Sequence, residues 1–158
     1  MRFGLHDSNC FSSPKSENYR YRATMNNMRS SRDLNASKIR SILRELMGSG
    51  QNGINATAAI SSDGLVLASV LQDSVDPDRF AAMSASLLAL AERAIIETQR
   101  GSLKQLLVEG TSGTLLLVQA GEDAVLAVST NPGALIGNVF IKARSSALKL
   151  RACLDQAA

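Results

Sequence analysis

Three short, glycine-bearing connections constrain this chain more than any other feature. Ser61-Ser62-Asp63-Gly64 separates two apolar runs, 54–60 (INATAAI) and 65–71 (LVLASVL). Gly110-Thr111-Ser112-Gly113 and Gly121-Glu122-Asp123 separate three more, 103–109, 114–120 and 124–129. Parallel neighbours need a crossover of a dozen or more residues, whereas a few residues rich in Gly and Asp close a hairpin. The first two runs therefore pair antiparallel, and the last three form an antiparallel meander.

Helical patterns precede, separate and follow these strands. Leu34, Ile39, Ile42, Leu43 and Leu46 recur at spacings of three and four, with Asp33 or Asn35 placed to cap them and Gly48 to end the helix. Asp76-Pro77-Asp78 sets a capping Asp before a proline in the first turn of a second helix, expected to run to Gln99 and stop at Gly101. Asn131-Pro132-Gly133 is expected to open a third in the same way, with Asn131 as cap and Pro132 at the first position, running to about Leu154. The order is α-β-β-α-β-β-β-α, an α/β (α+β) chain.

Charge is segregated along the sequence. Residues 1–32 carry six Lys/Arg against two Asp/Glu, a net of +4; residues 33–158 carry eleven against twelve, a net of −1. The basic pI thus belongs to a tail, 1–32, without periodicity and rich in Ser, Asn and Arg, which reads as disordered, ahead of one domain at 33–156. A near-neutral domain lacks the positive field that nucleic-acid binding needs. No run approaches the length that spans a bilayer, so membrane insertion is not expected. Met1, Met25 and Met28 are all possible starts. Cys10 and Cys153 show no CxxC spacing, which fits a reducing cytoplasm better than a disulfide framework.

The pieces INATAAISSDGLVLAS and LLLVQAGEDAVLAVSTNPGALIGNVFIKARSSALKL, in this order and with these loop lengths, resemble the Roadblock/LC7 family over residues 35–154. That resemblance implies a five-stranded antiparallel sheet, one face carrying the long central helix and the other carrying the first and last helices. It further implies homodimers, or heterodimers with a Roadblock paralogue, joined through an edge strand and the central helix. Members act as regulators or scaffolds for Ras-like small GTPases, and eukaryotic relatives include dynein light chains. The tail is not part of the family pattern.

The residues themselves also point to self-association. The central helix is apolar on more than one side, the pattern of a helix buried twice. Phe80, Met83, Leu87, Leu90, Ala91 and Ala94 are expected to cover the sheet. Ala81, Ala85, Leu88 and Ile95, widened by Ala82, Ala89 and Ile96, then form a second face, covered by a symmetry-related copy or by another helix of the same chain. The strand 103–109 is expected at a sheet edge with Lys104 a weak guard, so Leu103, Lys104, Gln105, Leu106, Leu107 and Val108 complete the expected dimer interface.

Catalytic and cofactor signals are missing from the ordered part. It has no His, Trp or Tyr, and none of the phosphate-loop, dinucleotide, zincin or nucleophile-elbow patterns. Asp73, Asp76 and Asp78 lack the ligand ladder of a calcium loop and read as helix capping. Gly133 and Gly137 read as close packing of the last helix against the sheet. Arg79, Arg93 and Arg100 read as solvated charge rather than as a catalytic finger. The expectation is a module without cofactor, metal or catalytic activity that binds proteins: a dimeric GTPase regulator first, an adaptor of the same fold second, a small-ligand sensor third.

Overall fold

A computed structural model of the chain describes residues 34–48 and 53–156. The tail expected at 1–32 lies outside the described residues, as does Asp33. Helix α1 spans 34–47, followed by strands β1 (Ile54–Ser61) and β2 (Val66–Val70) and helix α2 (Pro77–Glu97). Strands β3 (Gln105–Gly110), β4 (Gly113–Gln119) and β5 (Ala124–Thr130) lead to helix α3 (Ile136–Asp155).

The five strands form one antiparallel sheet in the order β2-β1-β5-β4-β3. The pairs β1–β2, β3–β4 and β4–β5 are joined by the hairpins expected from their turns, α2 carries the chain from β2 to β3 at the opposite edge, and β1 closes the sheet by pairing with β5 from Ile54↔Thr130 to Ser61↔Ala124. Gly110 and Gly113 face each other across a two-residue loop. Gly113 takes φ +140, and a Cβ there would fall 2.0 Å from the Thr130 carbonyl oxygen, so glycine is required at that corner.

Strand side chains alternate between two cores. Leu116, Val118, Leu126 and Val128 face one side, where Ile39, Leu43 and Leu46 of α1 and Val139, Ala143, Ala147 and Leu150 of α3 cover them. Leu117, Val125, Ala127, Ala58 and Ile60 face the other, beneath Ala81 and Leu88 of α2. Two helices thus lie on one face and one on the other, as the family resemblance implies.

Helix α2 begins where the sequence places it. The Asp76 carboxylate accepts from the backbone N–H groups of Asp78 and Arg79 at 3.0 Å, with Pro77 at the first helical position. Its stop is a correction. Both Gln99 (φ 55) and Gly101 (φ 85) take positive φ, but the helix ends at Gln99: its N–H donates to the Ile96 carbonyl, and that of Arg100 donates to Ile95. These two bonds close the helix in a Schellman pattern two residues before the glycine.

The start of α3 is a second correction. Its N-cap is Leu135, with no side-chain cap, and Asn131 does not cap a helix. Gly133 has φ +80 and the Ala134 N–H reaches the Asn131 carbonyl at 3.4 Å, so Asn131 to Ala134 form a Pro-Gly turn of type II instead. Pro fixes a φ common to both structures, and the positive φ of the following glycine decides for the turn. Asn131 then tethers the start of β1: its N–H donates to the Gly53 carbonyl at 2.7 Å and its Oδ1 accepts from Asn55 Nδ2 at 2.7 Å. Close packing at Gly133 and Gly137 is not found either, since a Cβ on either would meet nothing within 4 Å.

Candidate functional site

The rotation of α2 about its axis decides which side chains are available to a partner. Ala81, Ser84 and Leu88 are buried against the sheet, with Phe80, Ala85, Ala91 and Ile95 half-buried beside them. The expectation that Met83, Leu87 and Leu90 cover the sheet is therefore overturned: they are exposed, Met83 at 56% and Leu90 at 64%. The small-residue line wins because the β1–β2 turn approaches closely. A Cβ on Gly64 would lie 3.4 Å from the Ala85 Cβ and 3.5 Å from the Ala82 Cα, a fit that larger residues on this side would prevent. Ser84 is accommodated in the buried line because its Oγ donates to the Phe80 carbonyl at 2.8 Å.

The residues expected at the dimer interface consequently divide. Ala81, Leu88 and Leu103 are buried within the chain itself. Ala85, Ile95, Gln105 and Leu106 are half-buried, while Ala82, Ala89, Ile96, Lys104, Leu107 and Val108 are exposed. Sequence reasoning missed Met83, Leu87 and Leu90 as surface residues. Their own spacing of three and four showed an apolar stripe; which way it turned was not in it.

The open edge of the sheet beyond β4 is apolar as well. Helix α2 lies over β1 and β2, and Ala82 and Ala85 abut the β1–β2 turn at Gly64, while Met83, Leu87 and Leu90 are left uncovered. On β3 and β4, Leu106 and Leu115 are only half-covered and Val108 is exposed. Strand β3 is the edge strand anticipated from the sequence, and four of its six residues, Leu107 to Gly110, are exposed. Strand β2, at the opposite edge, has five residues and no exposed one. The two edges are thus unequal, and an exposed apolar edge with unpaired backbone groups is the one that invites strand pairing.

Reactive chemistry is not gathered at this surface. Among the described residues no three His, Cys, Asp or Glu converge as metal ligands, and Asp76 is engaged in capping. Cys153 is a free, half-buried thiol. Arg79, Arg93 and Arg100 are exposed. An open cleft of about 520 Å³ lies elsewhere, between α3 and the residues before β3, lined among others by Lys104, Glu122, Arg144, Leu148 and Arg151.

The Roadblock/LC7 domain pattern matches residues 42–130, more than half of the chain. The chain belongs to the Roadblock/LC7 family. An uncharacterised protein of Methanocaldococcus jannaschii, MJ1340, is 37% identical over 100 residues, covering 63% of this chain and 87% of that protein. Among solved structures, MglB of Myxococcus xanthus superposes with a TM-score of 0.71 at 16% identity, covering 77% of this chain and 91% of its own. A Roadblock/LC7 domain from Streptomyces avermitilis superposes at 0.66 with 24% identity, covering 72% and 94%. These likenesses establish the fold, and the family places the chain among regulatory or adaptor domains. No helix among the described residues is long and apolar enough to cross a membrane.

Proposed function

We propose that this Roadblock/LC7 domain is a non-catalytic, homodimeric regulator or scaffold that binds a Ras-like small GTPase and modulates its nucleotide cycle. The observation that carries the dimer is that one chain leaves two apolar features uncovered, the Met83, Leu87 and Leu90 flank of α2 and the edge strand β3. Two copies pairing through β3 would extend the sheet and lay their Met83, Leu87 and Leu90 flanks against each other, burying both features at once. Leu106, Leu107 and Val108 then sit at the seam.

The GTPase partner rests on family membership. A domain with no catalytic group of its own can still regulate, because a partner shifts the switch-region equilibrium of a GTPase by its differential affinity for the two nucleotide states. Light scattering of the purified chain tests the dimer, which is expected at all but the lowest concentrations. Pull-down with Ras-like GTPases encoded in the same genome, loaded with GDP or with a non-hydrolysable GTP analogue, tests the partner. State-dependent capture is expected, and no capture in either state overturns the GTPase half of the proposal.

A further inference from the structure

The near-neutral total of the domain conceals a division of charge between its first and last helices and the segments that join them. Helices α1 and α3, which share one face of the sheet, carry Lys38, Arg40, Arg44, Lys142, Arg144, Lys149 and Arg151 against only Glu45 and Asp155. Seven cations and two carboxylates leave that layer at +5. The described residues between the two helices carry four cations and nine carboxylates, a net of −5. All the charged side chains of α1 and α3 are exposed.

The outer surface of α3 combines this charge with exposed aliphatic side chains. Val139, Ala143, Ser146 and Leu150 face the core. On the opposite line of the helix stand Ile141 and Leu148, 70% and 68% exposed and about 10 Å apart at 1.5 Å per residue. Arg144 and Arg151 run along one flank of that line and Lys142 and Lys149 along the other, each pair repeating after seven residues. Lys149 is joined to Glu45 of α1 at 2.5 Å, which ties the two helices into one layer. Four arginines at 20, 22, 29 and 32 precede α1 in the chain.

We infer that the α1–α3 face docks on an anionic lipid bilayer surface, with Ile141 and Leu148 entering the headgroup region and the flanking Arg and Lys side chains meeting lipid phosphates. An aliphatic ridge between cationic flanks is what interfacial segments present to such a surface, since long cationic side chains keep their heads among the phosphates while their stems lie along apolar surface. The positive charge spreads over both helices, well beyond the cleft that Arg144 and Arg151 line beside Glu122, so it complements an extended anionic plane better than a single partner helix. The ridge carries no exposed aromatic side chain on which a nucleobase could stack.

Co-sedimentation of the full chain with phosphatidylcholine vesicles, with and without phosphatidylglycerol, tests this. Binding to the anionic vesicles alone, weakening as salt rises, is expected. Ile141→Ser with Leu148→Ser changes no charge and leaves the tail intact, and it should lower the partition coefficient about tenfold or more, given two aliphatic side chains withdrawn from water. Lys142→Gln with Arg151→Gln, one residue from each flank, should weaken binding as well, whereas Arg79→Gln with Arg93→Gln on α2 should not. Because the ridge side chains are exposed, thermal melts should be unchanged in the serine variant. Wild-type binding by that variant, as a tail acting alone would give, overturns the inference. So does indifference of the wild type to anionic lipid, or single-stranded RNA binding that depends on the same two side chains.

Discussion

Thr57 sits in the middle of β1, paired on both sides, with 1% of its surface exposed and its hydroxyl without a hydrogen-bond partner among the described residues. A buried hydroxyl that has lost water and gained nothing costs about 1–3 kcal/mol. Thr57→Val keeps the β-branched shape and removes the polar atom, so it should stabilise the domain by about 1 kcal/mol, seen as a raised midpoint in thermal or urea unfolding. A destabilised variant would mean that the hydroxyl is bonded after all. Gln99 makes a similar case from the backbone. It holds φ 55 to close α2, a conformation that glycine adopts without steric cost. Gln99→Gly should therefore stabilise the fold by about 0.5–1 kcal/mol despite the flexibility it adds to the unfolded chain, and the same unfolding measurement checks it. A loss of stability would show that the Gln99 side chain matters more than its φ.

At the scale of elements, the turns were readable because their chemistry is local. Asp63-Gly64, the Gly110 to Gly113 loop and the Asp76-Pro77 helix start all specify a backbone path from a few adjacent residues, and all were found as read. Local chemistry failed at Pro132-Gly133, where a helix start and a type II turn share the same proline φ, and at Gly101, where Gln99 had already ended the helix. The rotation of α2 was illegible for a different reason. Both of its flanks are apolar, and the choice between them was made by the approach of Gly64 to Ala82 and Ala85, a contact between segments far apart in sequence. Exposure then identifies Met83, Leu87 and Leu90 as the flank open to a second copy. Met83→Gln with Leu90→Gln should leave the folded monomer intact, because neither side chain is part of a buried cluster. The pair should weaken self-association by about tenfold or more, since each glutamine leaves a polar amide in an apolar seam. Light scattering across a dilution series reads this directly, and an unchanged association constant would place the interface elsewhere.

For the whole molecule, an edge-strand dimer has a geometric consequence. When β3 of one copy pairs antiparallel with β3 of another to continue the sheet, the two-fold axis stands perpendicular to the sheet, so both copies keep the same face on the same side. The α1–α3 layers of the pair would then point one way, each with its +5 and its Ile141–Leu148 ridge, while both α2 helices point the other. A bilayer could engage both layers at once, and the second contact becomes intramolecular once the first is made. This couples the two proposals without making them one, because the ridge belongs to a single chain. The Met83→Gln, Leu90→Gln variant changes no charge and no residue of the ridge. It should nonetheless bind anionic vesicles about tenfold or more weakly than the wild type, at concentrations where the wild type is dimeric. The weaker binding should retain its dependence on Ile141 and Leu148. Equal binding by monomer and dimer would show that only one layer meets the lipid, so that the two copies do not present their α1–α3 faces to a common plane.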